Sequence, residues 1–342
     1  MMKLGHRVLF GAALIASFGL AGCAGTGPAS EQKMVWPPET VDAPGEVEWI
    51  ASITEAKPGG AGRFFRVVAG QEQTNSKRRF RRPTAVAVHE RRMAVVDGGS
   101  GVVVWSRTDG GGAKIFELPD GFLPVAVAVS RDGAAWFVAD GMTGELRRFD
   151  DEGRPVGVIQ PRGEVSRYGG IATAVNGDLL LTDVEAGEVL RVSPDGTVNA
   201  RSGGHGIEEG QFNHPTAVVE DPDGTVWVLD ALNFRVQHLD DKLHYLGQFG
   251  THGDGSGHLA LPRGLTIDPD GHLYVSDAQF DLIQIFDSDG QFLLTVGGRG
   301  NGSGEFWSPA GLACDGRGTV VVADAGNSRV QVLRYGKRRS GS

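Results

Sequence analysis

GQFNHPTAVVEDPDGTVWVLDALNFRVQHLD (residues 210–240), GHLALPRGLTIDPDGHLYVSDAQFDLIQIFD (257–287) and GEFWSPAGLACDGRGTVVVADAGNSRVQVL (304–333) are one pattern written three times. Pro215, Pro262 and Pro309 lie 47 residues apart, and so do Asp230, Asp277 and Asp324. A repeat of this length is one supersecondary unit that cannot bury its apolar face alone. It stacks against its neighbours, in a propeller or a solenoid.

Working outward, the aspartate position recurs upstream. Asp97 ends MAVVD, Asp140 ends WFVAD and Asp183 ends LLLTD, at steps of 43. The runs before them match as well: PTAVAV from Pro83, PVAVAV from Pro124 and GGIATAV from Gly169, with glycine where the others have proline. Within the fifth copy the pattern predicts strands over 263–268, 272–276, 282–286 and 291–296, with a loop over 278–281. Asp268-Pro-Asp-Gly271 is a turn in which glycine takes the backbone angle that side chains avoid. Asp289-Gly290 is a hairpin signal. The first two strands carry Val, Ile and Leu on both faces, as strands packed between neighbours must. The fourth is mixed, as a rim strand should be. Six copies of four short antiparallel strands predict an all-β, six-bladed propeller over residues 47–336.

The sixth copy ends without a fourth strand, which would leave an open edge. The N-terminal side must supply it. Val47–Ile53 and Phe64–Gly70 are the two candidates. The first is favoured, because it alternates more cleanly and follows directly on a proline-rich stretch. The segment around Phe64 then becomes an insertion crossing one face.

These residues resemble the NHL repeat family. The closest agreement is Gly304-Glu-Phe-Trp-Ser-Pro-Ala-Gly-Leu-Ala, then Val322-Ala-Asp324, then Asn327-Ser-Arg329-Val-Gln331. Asn233, Arg235 and Gln237 repeat it in the fourth copy. The fifth keeps Gln284 but has Leu282 in place of arginine. Copies one to three place Val104, Arg147 and Leu190 at the glutamine position. The resemblance implies a β-propeller used as a binding platform, with a few enzymatic relatives.

At the N-terminus, Lys3 and Arg7 precede the mostly apolar run Val8–Leu20, too short to span a bilayer comfortably and laid out as a secretory signal. Leu20-Ala-Gly-Cys23 resembles the lipobox of bacterial lipoproteins. That implies cleavage before Cys23 and acylation of its thiol and amine, which makes a stable anchor. Ala24 in place of aspartate implies, by the sorting rule of Gram-negative lipoproteins, an outer-membrane address facing the periplasm. Residues 1–22 are then a signal peptide. Residues 23–46, with Pro28, Pro37, Pro38 and Pro44, read as a flexible tether, and 337–342 as a solvated basic tail. The only other cysteine is Cys314, so no structural disulfide is expected; it reads as a small buried hydrophobe.

The series Asp97, Asp140, Asp183, Asp230, Asp277 and Asp324 looks like a carboxylate ring. One aspartate at the end of every second strand instead reads as a structural acceptor for loop amides. The Asp-Pro-Asp-Gly turns at 221 and 268 lack the spaced oxygens and terminal glutamate of a calcium loop. After the blade-opening prolines stand Thr84, Val125, Thr216, Arg263 and Ala310, none of them an axial histidine for zinc. No catalytic residue, metal ligand or cofactor is assigned beyond the lipid on Cys23. In a chain of net charge −9, the run Lys77-Arg78-Arg79-Phe80-Arg81-Arg82 stands out. With His214, Arg235, Arg263, Arg299 and Arg329 it marks a candidate binding face. The net charge and exported address oppose nucleic acid; the expected partner of the basic run is a lipopolysaccharide headgroup, a polyanionic glycan or an acidic protein. The expectation is an envelope scaffold or sensor anchored to the membrane by its lipid; the alternative is a metal-dependent lyase or lactonase acting at the axis.

Overall fold

A computed structural model describes residues 34–36, 45–55, 79–163 and 165–337, all within the unit Lys33–Ser342. Cys23 and the signal segment, Lys77 and Arg78, Phe64–Gly70 and most of the basic tail lie outside the described residues.

Six antiparallel sheets stand around one axis. Blades one to five run strictly in sequence, each with four strands. They occupy residues 83–115, 124–159, 168–203, 215–249 and 262–297. Their innermost strands start at Pro83, Pro124, Tyr168, Pro215 and Pro262, and that of the sixth blade at Pro309. Proline suits this first position, where no ladder donor is needed. The strands expected in the fifth copy are found as Pro262–Ile267, Leu273–Asp277, Leu282–Phe286 and Phe292–Gly297.

Alternation explains how an all-apolar strand can serve a single sheet. Successive side chains leave opposite faces, and here each face meets a different neighbouring blade. Val95 packs in the seam between blades six and one, while Ala94 and Val96 pack in the seam between one and two. The described residues form six such apolar clusters, one at each seam. Second strands such as Val226–Asp230 and Leu273–Asp277 are accordingly buried throughout. Outer strands are not: Val198–Gly203 alternates between half-buried and exposed.

The innermost strands pack side by side round the axis, the sixth against the first. They can do so because the second position after the blade start is small everywhere: Ala85, Ala126, Gly170, Ala217, Gly264 and Gly311. A Cβ on Gly311 would stand 2.8 Å from the Cα of Ala85, and one on Gly170 would stand 2.8 Å from the Cα of Ala217. Gly311→Val is therefore expected to wedge the seam and cost about 1–3 kcal/mol, read as a lower urea midpoint. An unchanged midpoint would mean that the seam has slack.

Ring closure falls to Gly45–Ile53, which lies antiparallel to Arg329–Lys337, with Val47 opposite Tyr335 and Ile53 opposite Val330. The favoured segment is thus the outer strand of the last blade. The structure corrects the tether, however. Val35–Trp36, inside the stretch read as flexible, is a fifth strand pairing with Glu48 and Val47. The Trp36 ring lies where a Cβ on Gly304 would be. An aromatic side chain with an apolar surface to cover held this piece of chain in place against its proline-rich composition. The C-terminal strand likewise runs through Lys337, one residue into the expected tail.

Candidate binding mouth on the propeller axis

In every blade the start of the innermost strand pairs with the conspicuous aspartate, as Pro83 does with Asp97 and Pro309 with Asp324. The loop before the first strand and the loop after the second therefore share one end of the propeller. The six aspartates are nearly or fully buried there, and each fastens those two loops. Asp97 accepts the amides of Arg81 and Arg82 at 2.9 and 2.7 Å and the Ser100 hydroxyl at 2.7 Å. Asp140 accepts Leu123 N–H and the Thr143 hydroxyl. Asp183 accepts Ser166 and Arg167, and Asp277 accepts Ala260 and Leu261.

Asp230 and Asp324 do more. Asp324 accepts Trp307 N–H at 2.8 Å, Asn327 Nδ2 at 2.9 Å, Arg329 Nε at 2.7 Å and Gln331 Nε2 at 3.0 Å. Arg329 then donates onward to the carbonyls of Asn301, Gly302 and Glu305. Asp230, Asn233, Arg235 and Gln237 repeat the set. This corrects the candidate face. Arg235 and Arg329 are buried cations that clamp the preceding interblade loop, and neither is available to a partner. Their planar forks match loop carbonyls as well as a carboxylate. Arg299 is exposed in that loop and stands 3.8 Å from Asp281. Arg79 is exposed and its backbone forms an isolated antiparallel β-bridge with that of Glu55.

Of the candidate face, Arg82 and Arg263 line the axial mouth. A cavity of about 350 Å³ runs between the six innermost strands, with Arg82, Arg263 and Ser308 at this end. Its bore is mostly Ala, Val, Gly and Thr, with Ile171, Leu265 and Leu312, and the Thr216 hydroxyl within it is buried without a protein partner. His214 stands two residues before Thr216, which lines the bore. Burial first, then the positive charges of Arg167 and Arg263, hold its imidazole below the ordinary histidine value. His214 and Ser308 adopt left-handed φ values of 62° and 51°. Residues before proline disfavour helical backbone and prefer extended conformations, so these two positions are strained. The far end opens into a second cavity of about 420 Å³ reaching Glu220, Asp268 and Asp315. Glu220 is neutralised there by Arg191 at 3.0 Å. Cys314 is a free thiol, half-buried rather than fully buried, at the end of the last innermost strand, and burial pushes it up to about 12. Among the described residues no three of His, Cys, Asp and Glu gather where they could hold a metal ion.

Arg167 was not singled out from the sequence. It occupies in blade three the place of Arg82 in blade one, directly before the innermost strand. The absence of a proline after it hid that equivalence; the amide-to-aspartate spacing would have revealed it. Arg82, Arg167 and Arg263 thus come from blades one, three and five.

Residues 306–333 match the NHL repeat family. No curated protein matches the chain in sequence. Among solved structures, a protein of unknown function from Bacteroides thetaiotaomicron superposes with a TM-score of 0.65 at 16% identity, covering 85% of this chain and 76% of that one. A streptogramin B lyase gives 0.56 at 15% identity, over 75% and 94% of the two chains. The Kuenenia stuttgartiensis hydrazine synthase gives 0.53 at 11%, over 75% and 96%. At such identities the likeness is one of fold. The chain is a six-bladed β-propeller whose last blade matches the NHL repeat.

Proposed function

We propose that this propeller is a binding module of the cell envelope, held to the membrane by a lipid on Cys23, that takes an anionic partner at its axial mouth. The partner is an acidic protein or an anionic glycan. The observation that carries the reading is the placement of Arg82 and Arg263, from blades one and five, on the lining of one cavity, with Arg167 of blade three close enough to His214 to act on its charge, in a chain of net charge −9. Guanidinium groups suit carboxylate, sulfate and phosphate alike through paired donors. A concave, low-dielectric mouth focuses their field.

Titration calorimetry with polyglutamate and dextran sulfate tests this. Arg82→Glu with Arg263→Glu is expected to weaken binding at least tenfold; equal affinity would remove the reading. The pH dependence has a definite sign. An anion favours protonated His214, whose free-state value lies below the usual 6.5. Affinity should rise as pH falls through that region, and His214→Asn should flatten the profile.

A further inference from the structure

The remaining three blades present something else in the loops at the same end of the propeller. Blade two presents Leu123 and Met142, 44% and 71% exposed; blade four presents Leu232 at 50%; blade six presents Trp307 at 53%. Met142 and Leu232 occupy the same position, two residues after the blade aspartate. Leu123 and Trp307 both precede an innermost strand, in the loops whose amides Asp140 and Asp324 hold. Apolar side chains on blades two, four and six therefore alternate with arginines on blades one, three and five. None of these four side chains is needed to fill a seam, since the six clusters close without them.

We infer that the occupant of the mouth is a polypeptide segment in which carboxylates are interspersed with large apolar side chains. The inference rests on the anion-binding reading and narrows it. A polyanionic glycan would satisfy the arginines and leave Leu123, Met142, Leu232 and Trp307 facing water. A segment with both kinds of side chain satisfies both sets at once. Trp307 and the arginines are of the types that carry most binding energy in protein interfaces, and Met is enriched there. Trp307 is held ready for this. Its amide donates to Asp324, and its ring lies over Gly326, where a Cβ would stand 2.7 Å from Cγ.

The test is fluorescence anisotropy of the full chain in detergent with a labelled peptide alternating glutamate with leucine and phenylalanine. A polyglutamate of equal charge, dextran sulfate and phosphatidylglycerol vesicles are run beside it. The alternating peptide is expected to bind at least tenfold more tightly than polyglutamate. Trp307→Ser and Leu232→Ser should each erase that preference, and Arg263→Glu should weaken both peptides. Equal binding of the two peptides, indifferent to Trp307→Ser, would overturn the inference while leaving an anion site. Preference for dextran sulfate, or vesicle binding lost with Trp307→Ser, would overturn it in favour of a glycan or a lipid surface. No anionic probe responding to Arg263→Glu would remove the anion site as well.

Discussion

Deletion of residues 45–53 is expected to abolish the cooperative unfolding of the propeller, or to lower its midpoint by at least about 10 °C. The strand does three separate jobs. It pairs along Arg329–Lys337 from Lys337 down to Val330, and without it that strand becomes an open edge. Its Val47 is 1% exposed in the seam between blades five and six, and its Ile53 is 6% exposed in the seam between six and one, beside Phe80 and Val330. Each such side chain contributes about 1.5–3 kcal/mol by burial. Its Trp49 Nε1 also donates to Gln331 Oε1 at 3.0 Å, and Gln331 holds the Gly304 amide. Against a total of about 5–15 kcal/mol for a folded domain, these losses decide whether the ring stays shut. Differential scanning calorimetry measures the effect. A synthetic peptide of residues 45–55 added in trans should restore the transition. A deletion variant that melts at the parent temperature would show that the circle is closed by something else.

The second large effect concerns Asp324. Its replacement by alanine leaves Arg329 buried at 8% exposure with its carboxylate gone. An uncompensated buried charge costs about 3–5 kcal/mol. Asp140→Ala removes a carboxylate of the same series that holds amides and a hydroxyl and no arginine. It should cost less, about 1–3 kcal/mol. The order of urea stabilities is therefore parent, Asp140→Ala, Asp324→Ala. Combining Asp324→Ala with Arg329→Met should recover part of the loss, since the stranded cation goes too. Equal losses at 140 and 324, or no recovery in the double variant, would count against the clamp.

The same comparison shows where sequence reading reached and where it stopped. Asp324 and Asp230 were legible as structural because they recur once per blade, and a function seldom needs six copies. Arg329 and Arg235 were misread as surface cations for the opposite reason: arginine is usually exposed, and nothing local says that its fork points into a loop folded back from the preceding blade. Val35–Trp36 was hidden by its proline-rich surroundings, since besides pairing with Val47 and Glu48 it packs Trp36 against Gly304, far along the chain. The Arg82, Arg167 and Arg263 set was legible only in pieces. Its members lie 85 and 96 residues apart, at positions that differ by a residue or two relative to the repeat.

The 47-residue period, the strand alternation and the incomplete last copy determined the number of blades and the need for an N-terminal strand, because those follow from local geometry and from the cost of an unpaired edge. Which arginines are buried and which ring the mouth was decided only by tertiary structure. Closing the circle brings loops distant in sequence to one end of the axis, and whether a charge there meets a carbonyl, a carboxylate or water depends on neighbours that no single repeat contains.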